Sequence, residues 1–246
     1  DTSLVDITSG DLILSAGAGI GSGTNHLETQ VVNLSSSSLS GGTFLTESDS
    51  ITITTLSLTI NRVQTDGSTQ VSSADSQEDL TSGGDLILGT LDGAISTVLS
   101  SGELLAAGDI LLTSGESLET TAADITLNAR IVSSGGSISL LSKDNILQNH
   151  ASADISAQGS GQTIDLRADG GISMVDGAVT ASSNGNLRYQ ALGGDIVLGE
   201  LTAGTAKTAV LASGSILDLG IDTSLVDITS GDLILSAGAG IGSGTN

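Results

Sequence analysis

Residues 84–115 read GDLILGTLDGAISTVLSSGELLAAGDILLTSG. One phrase opens and closes the stretch, a polar turn residue followed by an aliphatic, a variable and a second aliphatic residue, with the turn residues Asp85 and Asp109 lying 24 positions apart. The same phrase recurs behind Asp11, Ser137, Thr163, Asn186, Thr208 and Asp232, and from Asp85 onward its spacing runs 24, 28, 26, 23, 22 and 24. Successive side chains on a strand face opposite sides, so the columns that follow the turn residue report which side is the core. The first column holds Leu12, Leu86, Ile110, Ile138, Ile164, Leu187, Ala209 and Leu233, and the third holds Leu14, Leu88, Leu112, Leu140, Leu166, Tyr189, Leu211 and Leu235. Both point inward. The middle column runs Ile13, Ile87, Leu111, Ser139, Asp165, Arg188, Val210 and Ile234, and a column that admits Asp and Arg faces water.

A second apolar mark follows each phrase, usually after glycine, at Ile20, Ile95, Leu118, Ile146, Ile172, Ile196, Ile216 and Ile241. A third falls at Leu104, Ile125 with Leu127, Ile155, Val179, Leu201 and Val226. Three short strands in each turn of about 24 residues are the plan of an all-β parallel β-helix, or β-solenoid, whose coils stack at ~4.8 Å. Between His26 and Gln77 the coil register is open, although QVVNL, GTFLT, SITIT and LSLTI read as strands.

A longer period encloses the short one. Residues 1–25, DTSLVDITSGDLILSAGAGIGSGTN, return letter for letter as residues 222–246. The chain is therefore expected to be one tandem-repeat unit, residues 1–221, followed by the start of the next identical unit, residues 222–246. About nine coils fill one unit, roughly 43 Å of axial length at the inter-strand spacing. The junction at Ile221 and Asp222 carries no linker composition, so the solenoid is expected to run through it.

Composition agrees with a narrow, aliphatic interior. One Phe, one Tyr and no Trp accompany 34 Gly, no Pro and no Cys. Proline is unwelcome where each strand must donate its N–H to a neighbour, and the absence of cysteine excludes disulfides and thiolate metal sites. Acidic residues outnumber basic ones 28 to 6, for a net charge of −22. With Asp222, Asp227 and Asp232 duplicating Asp1, Asp6 and Asp11, one unit carries −19. Such a polyanion repels nucleic acid and anionic lipid and attracts divalent cations. No apolar run approaches the length of a membrane span, so membrane insertion is not expected.

The run of G-D-[IL]-x-L strands, the Gly-Ser corners, the scarcity of aromatics and the long identical repeat resemble the hemagglutinin-type β-helical adhesins, filamentous haemagglutinin among them, and the giant tandem-repeat surface proteins of Gram-negative bacteria. The resemblance is good from about Gln77 onward. It implies a secreted, right-handed β-helix of bacterial origin, extracellular or attached to the cell surface, with an adhesive or fibrous role, and it carries over no individual residues.

Two groups of residues stand out as candidate sites. Asp85 and Asp109 occupy one corner of successive coils, about 5 Å apart, where a bound Ca²⁺ would relieve their repulsion. The alternative is an Asx-type turn in which each carboxylate caps its own backbone. Ile87, Leu111, Val210 and Ile234 form an outward apolar stripe, which fits lateral contact between rods or plain strand propensity.

Catalysis finds little support. His26 and His150 are isolated, no G-x-S-x-G elbow occurs, and the clustered acids, basic residues and aromatic platforms of a polysaccharide lyase are missing. The glycine series Gly17, Gly19, Gly21 and Gly23 lacks the Lys-Ser or Lys-Thr ending of a phosphate loop. Repeated Thr at Thr52 and Thr54 belongs to a single coil, too few for an ice-binding array. The expected function is structural: one unit of a long continuous rod, a filament, stalk or adhesin shaft, with neighbouring units end to end and lateral self-association as partners. The alternatives are a module that binds glycan or a host or neighbouring cell surface, and a lyase-like β-helix enzyme.

Overall fold

The computed structural model describes residues 5–117, 122–218 and 226–242. Leu118 and the junction at Ile221 and Asp222 lie outside the described residues. Among the described residues all regular structure is β, and apart from one hairpin every strand pairs in parallel with its counterpart one coil away. The result is a solenoid of about nine turns built from three ladders of strands.

The first ladder stacks Thr43–Glu47, Leu86–Thr90, Ile110–Ser114, Ile138–Ser142, Ile164–Ala168, Leu187–Ala191, Lys207–Ala212 and Asp232–Ala237. Its register joins Leu86, Ile110, Ile138, Ile164 and Leu187 into one column and Leu88, Leu112, Leu140, Leu166 and Tyr189 into another, all buried. The second ladder runs from Ile51–Ile53 to Ile216–Asp218 and the third from Leu80–Ser82 to Ile228–Thr229. Ile95, Ile125, Ile146, Ile172, Ile196 and Ile216 fill the interior of the second.

The structure departs from the sequence reading at four places. Lys207, not Thr208, is the outward residue that opens its strand: Thr208 and Val210 are buried and pair with Leu187 and Tyr189, so Val210 belongs to the core and is no part of an outer stripe, while Ala209 and Leu211, read as inward, lie outward beside Arg188 and Gln190. The cause is the short 22-residue step from Asn186 to Thr208, which a one-residue slip converts into an inside-out reading. In the coil after Asp109, Ile125 and Leu127 sit in the second ladder and Ile131 in the third. In the third ladder Thr180 faces the core in place of Val179, and Ile228 pairs with Leu201 where Val226 is exposed.

The stretch from His26 to Gln77 resolves into two unusual coils and an insertion. Ile7–Ala16 and Leu27–Ser38 are single long strands, paired with each other from Ile7↔Thr29 to Ala16↔Ser38. No glycine lies between His26 and Ser40, and without one the second strand stays extended across both places where later coils turn. Its Asn33 and Leu34 pair into the second ladder and its Ser36 to Ser38 into the third. The next coil leaves the solenoid after Ile53, forms the antiparallel hairpin Leu56–Val63 with Thr69–Gln77, and re-enters at Leu80.

Small hydroxyls finish the corners. Ser38, Ser82, Thr90, Ser114, Ser142 and Ser182 each close a strand facing inward, and each donates to a carbonyl of the corner that follows. A buried backbone acceptor without such a donor costs about 1–3 kcal/mol. Close stacking is visible at Gly185, where an added Cβ would lie 1.7 Å from the carbonyl oxygen of Gln162.

Candidate functional site

The corners carry the acidity. Asp85 Oδ1 accepts the N–H of Asp109 at 2.9 Å, and Asp109 Oδ1 accepts the N–H of Ser137 at 2.7 Å. Asn186 continues the pattern to Lys207 at 3.1 Å. The next corner repeats it from Asp124 to Asn145, from Asn145 to Gly171 and from Asp195 to Ser215, at 2.9, 2.8 and 2.6 Å. The third does so from Asp79 to Glu103 and from Asp154 to Val179, both at 2.9 Å. Each side chain thus caps the following coil, where the Asx-turn reading had it cap its own. Asp85 and Asp109 are adjacent on one corner, as expected, with one oxygen of each engaged in this ladder. Among the described residues no three His, Cys, Asp or Glu side chains converge as metal ligands.

Between these acidic edges the flat faces are close to neutral. The outward residues of the second ladder include Thr52, Ser96, Thr126, Leu147, Ser173 and Val197, and those of the third include Thr81, Leu105, Val132, Ser156 and Ala181. None is charged. The first ladder mixes signs: Asp165 holds Arg188 through two bonds of 2.7 and 2.6 Å, and Asp169 meets Lys143 at 3.1 Å and Arg167 at 3.9 Å. Lys143, Arg167 and Asp169 line a shallow groove of about 300 Å³ on that side.

The outer apolar stripe is real but composed differently from its sequence reading. Phe44, Ile87 and Leu111 stack in register and are half-buried, the column then turning polar at Ser139. Ile234 lies in the same column, 60% exposed, behind Ala209 and not behind Val210. His26 packs beside this end, with Nδ1 3.0 Å from Thr46 Oγ1 and its ring 5.9 Å from that of Phe44. His150 bonds only locally, to the N–H of Ser152, and the two histidines are not brought together.

Two features escaped the sequence reading. Tyr189 reaches across the interior so that its hydroxyl lies 2.6 Å from Thr180 Oγ1 and donates to Gln148 Oε1 at 3.0 Å, while Gln148 Nε2 donates to the carbonyl of Ala153. All three side chains are buried, and burial pushes the phenol well above its ordinary pKa. The second is the hairpin, whose Leu58, Ile60, Val63 and Val71 are 40–69% exposed. Asp66-Gly67 between two alternating runs is its signature, with Gly67 at φ 82°.

No family model, no curated protein and no solved structure matches the chain.

Proposed function

We propose that the chain is a structural unit of an extracellular filament, stalk or adhesin shaft of the bacterial surface, joined end to end with identical units into a continuous rod. The observation that carries this reading is the continuity of the ladders: among the described residues each coil between the two terminal ones pairs with the one before and the one after, so length is added by stacking alone. The polar corner ladders suit a rod surface that stays soluble. The exact duplication of 25 residues supports iteration of the unit.

The test is cryo-electron microscopy of a chain carrying several consecutive 221-residue units. A smooth rod that gains about 40 Å per unit at the ~4.8 Å coil spacing supports the proposal. A beaded profile with gaps between units overturns it.

A second reading, attachment to another surface, is favoured by the hairpin, because its Leu58, Ile60, Val63 and Val71 display exposed apolar side chains off the shaft. Replacing Ile60 and Val71 with Ser should then abolish adherence of the rod to cells or immobilised glycans without altering its length. Unchanged adherence rejects that reading.

A further inference from the structure

Residues 5–21 and 226–242 are identical in sequence, yet they stack on different neighbours. Near the N-terminus, Ile7, Leu12, Leu14 and Ala16 pair with Thr29, Leu34, Ser36 and Ser38 of the following coil, and Ile20 bridges to Thr43. Near the C-terminus, the same residues are Ile228, Leu233, Leu235 and Ala237. They pair with Leu201, Thr208, Val210 and Ala212 of the preceding coil, and Ile241 bridges to Ile216. One copy uses its forward edge and the other its backward edge.

The atoms used by the two copies are complementary. The C-terminal copy bonds backward through the carbonyls of Asp227, Thr229 and Gly240 and the N–H groups of Gly231, Gly238, Ala239 and Gly242. The N-terminal copy bonds forward through the N–H of Asp6, the carbonyl of Ala16 and both groups of Ile20. None of these groups is claimed by both copies. Ile20 facing forward between glycines that face backward is the alternation of a parallel strand with neighbours on both edges. The aspartate divides likewise: Asp11 Oδ1 accepts from Asn33 at 2.8 Å, whereas Asp232 Oδ2 meets Lys207 at 3.1 Å.

Glycine crowding gives an independent signal. A Cβ on Gly231 or Gly238 would lie 2.2 Å from the Thr205 carbonyl or 2.1 Å from that of Ser213, yet their copies Gly10 and Gly17 face open space. Conversely, a Cβ on Gly19 or Gly21 would meet the carbonyls of Gly42 at 2.9 Å and Phe44 at 2.5 Å, while on Gly240 it would meet only Ser215 Oγ at 4.0 Å and on Gly242 nothing. Gly10, Gly17 and Gly19 are together needed only by a segment stacked on both sides, whereas the position of Gly21 and Gly242 has positive φ in both copies and calls for glycine in either.

We propose that this segment is a splice common to consecutive units, the last coil of one and the first coil of the next. The seat lined by Leu201, Thr208, Val210, Ala212 and Ile216 is then a docking site for the N-terminal segment of a second copy. The inference rests on the rod reading and adds a consequence to it. The first ladder of one unit, ending at Leu233–Ala237, continues through Leu34–Ser38 into the second and third ladders of the next. The third ladder, ending at Ile228, continues through Thr29 into the first.

In the chain as it stands the C-terminal copy fills its own seat. The full chain carrying Leu233→Asp and Leu235→Asp empties the seat and leaves the N-terminal copy untouched. In size-exclusion chromatography with light scattering it should show at least twice the 24.1 kDa of a single chain. Adding Leu12→Asp and Leu14→Asp should return the mass to that of one chain. A double variant that keeps the wild-type far-ultraviolet β signal and stays at the single-chain mass overturns the proposal, as does assembly that survives the second pair of substitutions. If the first pair unfolds the chain, Gly231→Val with Gly238→Val decides in its place, since it evicts the C-terminal copy by crowding alone. A beaded multi-unit profile would sink the rod reading while leaving these mass shifts intact, so the two failures are distinct.

Discussion

The carboxylate of Asp85 accepts the backbone N–H of Asp109, its equivalent one coil onward, at 2.9 Å. A side chain at a corner thus performs for the next coil what a ladder bond performs within a sheet, and the acidity of the chain is in part the acidity of its corner caps. Asp85→Asn keeps the acceptor and should leave the melting temperature within a degree or two. Asp85→Ala removes it and should cost about 1 kcal/mol in urea denaturation. Equal stability of the two variants would show that the bond contributes nothing.

The stripe on the first ladder separates two substitutions that look alike in sequence. Leu111→Lys changes a half-buried outward residue and should cost about 1 kcal/mol or less, with loss of any bundling seen by sedimentation. Val210→Lys places an ammonium in the core and should cost about 4 kcal/mol or more. Comparable denaturation midpoints for the two would contradict the register at Val210.

Tyr189 holds a buried polar cluster together. Removing its hydroxyl in Tyr189→Phe leaves Gln148 Oε1 and Thr180 Oγ1 short of a partner, at a cost of about 1–3 kcal/mol. Tyr189→Phe combined with Thr180→Val should cost more than the single change, because Thr180 Oγ1 also donates to Gln148 Oε1 at 3.2 Å and the double variant leaves that buried oxygen with neither donor. Chemical denaturation of the single and double variants measures the coupling.

Glu47 gives the fold a pH signature. It is buried, and desolvation raises its pKa despite hydrogen bonds from Thr29 Oγ1 and the N–H groups of Val31, Ser48 and Asp49. With the folded pKa above the unfolded one, the native state holds the proton more tightly between the two values. Stability therefore falls as pH rises through that interval and is level above the folded value. Glu47→Gln should abolish this slope in melting curves taken from pH 4 upward, and a slope that survives the substitution assigns it to another group.

At Gly185 there is no room for a methyl group. Gly185→Ala should lower stability by about 1–3 kcal/mol by forcing apart the coils at Gln162. Gly17→Ala, in open space at the N-terminal coil, is the matched control and should change little. A neutral Gly185→Ala would mean the coils are less closely stacked than these distances require.

The ladders were legible wherever glycine or aspartate marks each corner, because the alternation then has a fixed origin. That is why Leu86, Ile110, Ile138 and Ile164 superpose as the period requires. The reading slipped where the corner marks thin out. At Lys207–Ala212 two columns exchange sides, and Leu27–Ser38 crosses two corners in one extended run that has no punctuation to read. The Tyr189 cluster was invisible for another reason: its members, Gln148, Thr180 and Tyr189, come from three different coils and only the winding brings them together. The two-edged nature of the duplicated segment was likewise hidden, since identical letters cannot announce that they stack on different partners.

The hairpin interrupts a coil between Ile53 and Leu80, yet the strand that follows pairs Leu80 with both Ser36 and Leu104 in unbroken register. Lengthening a corner therefore leaves the stack untouched, and the entropic charge for doing so grows only slowly with the added residues. Such corners are natural grafting points, where evolution or an engineer can mount foreign cargo on a scaffold whose mechanics never notice the passenger.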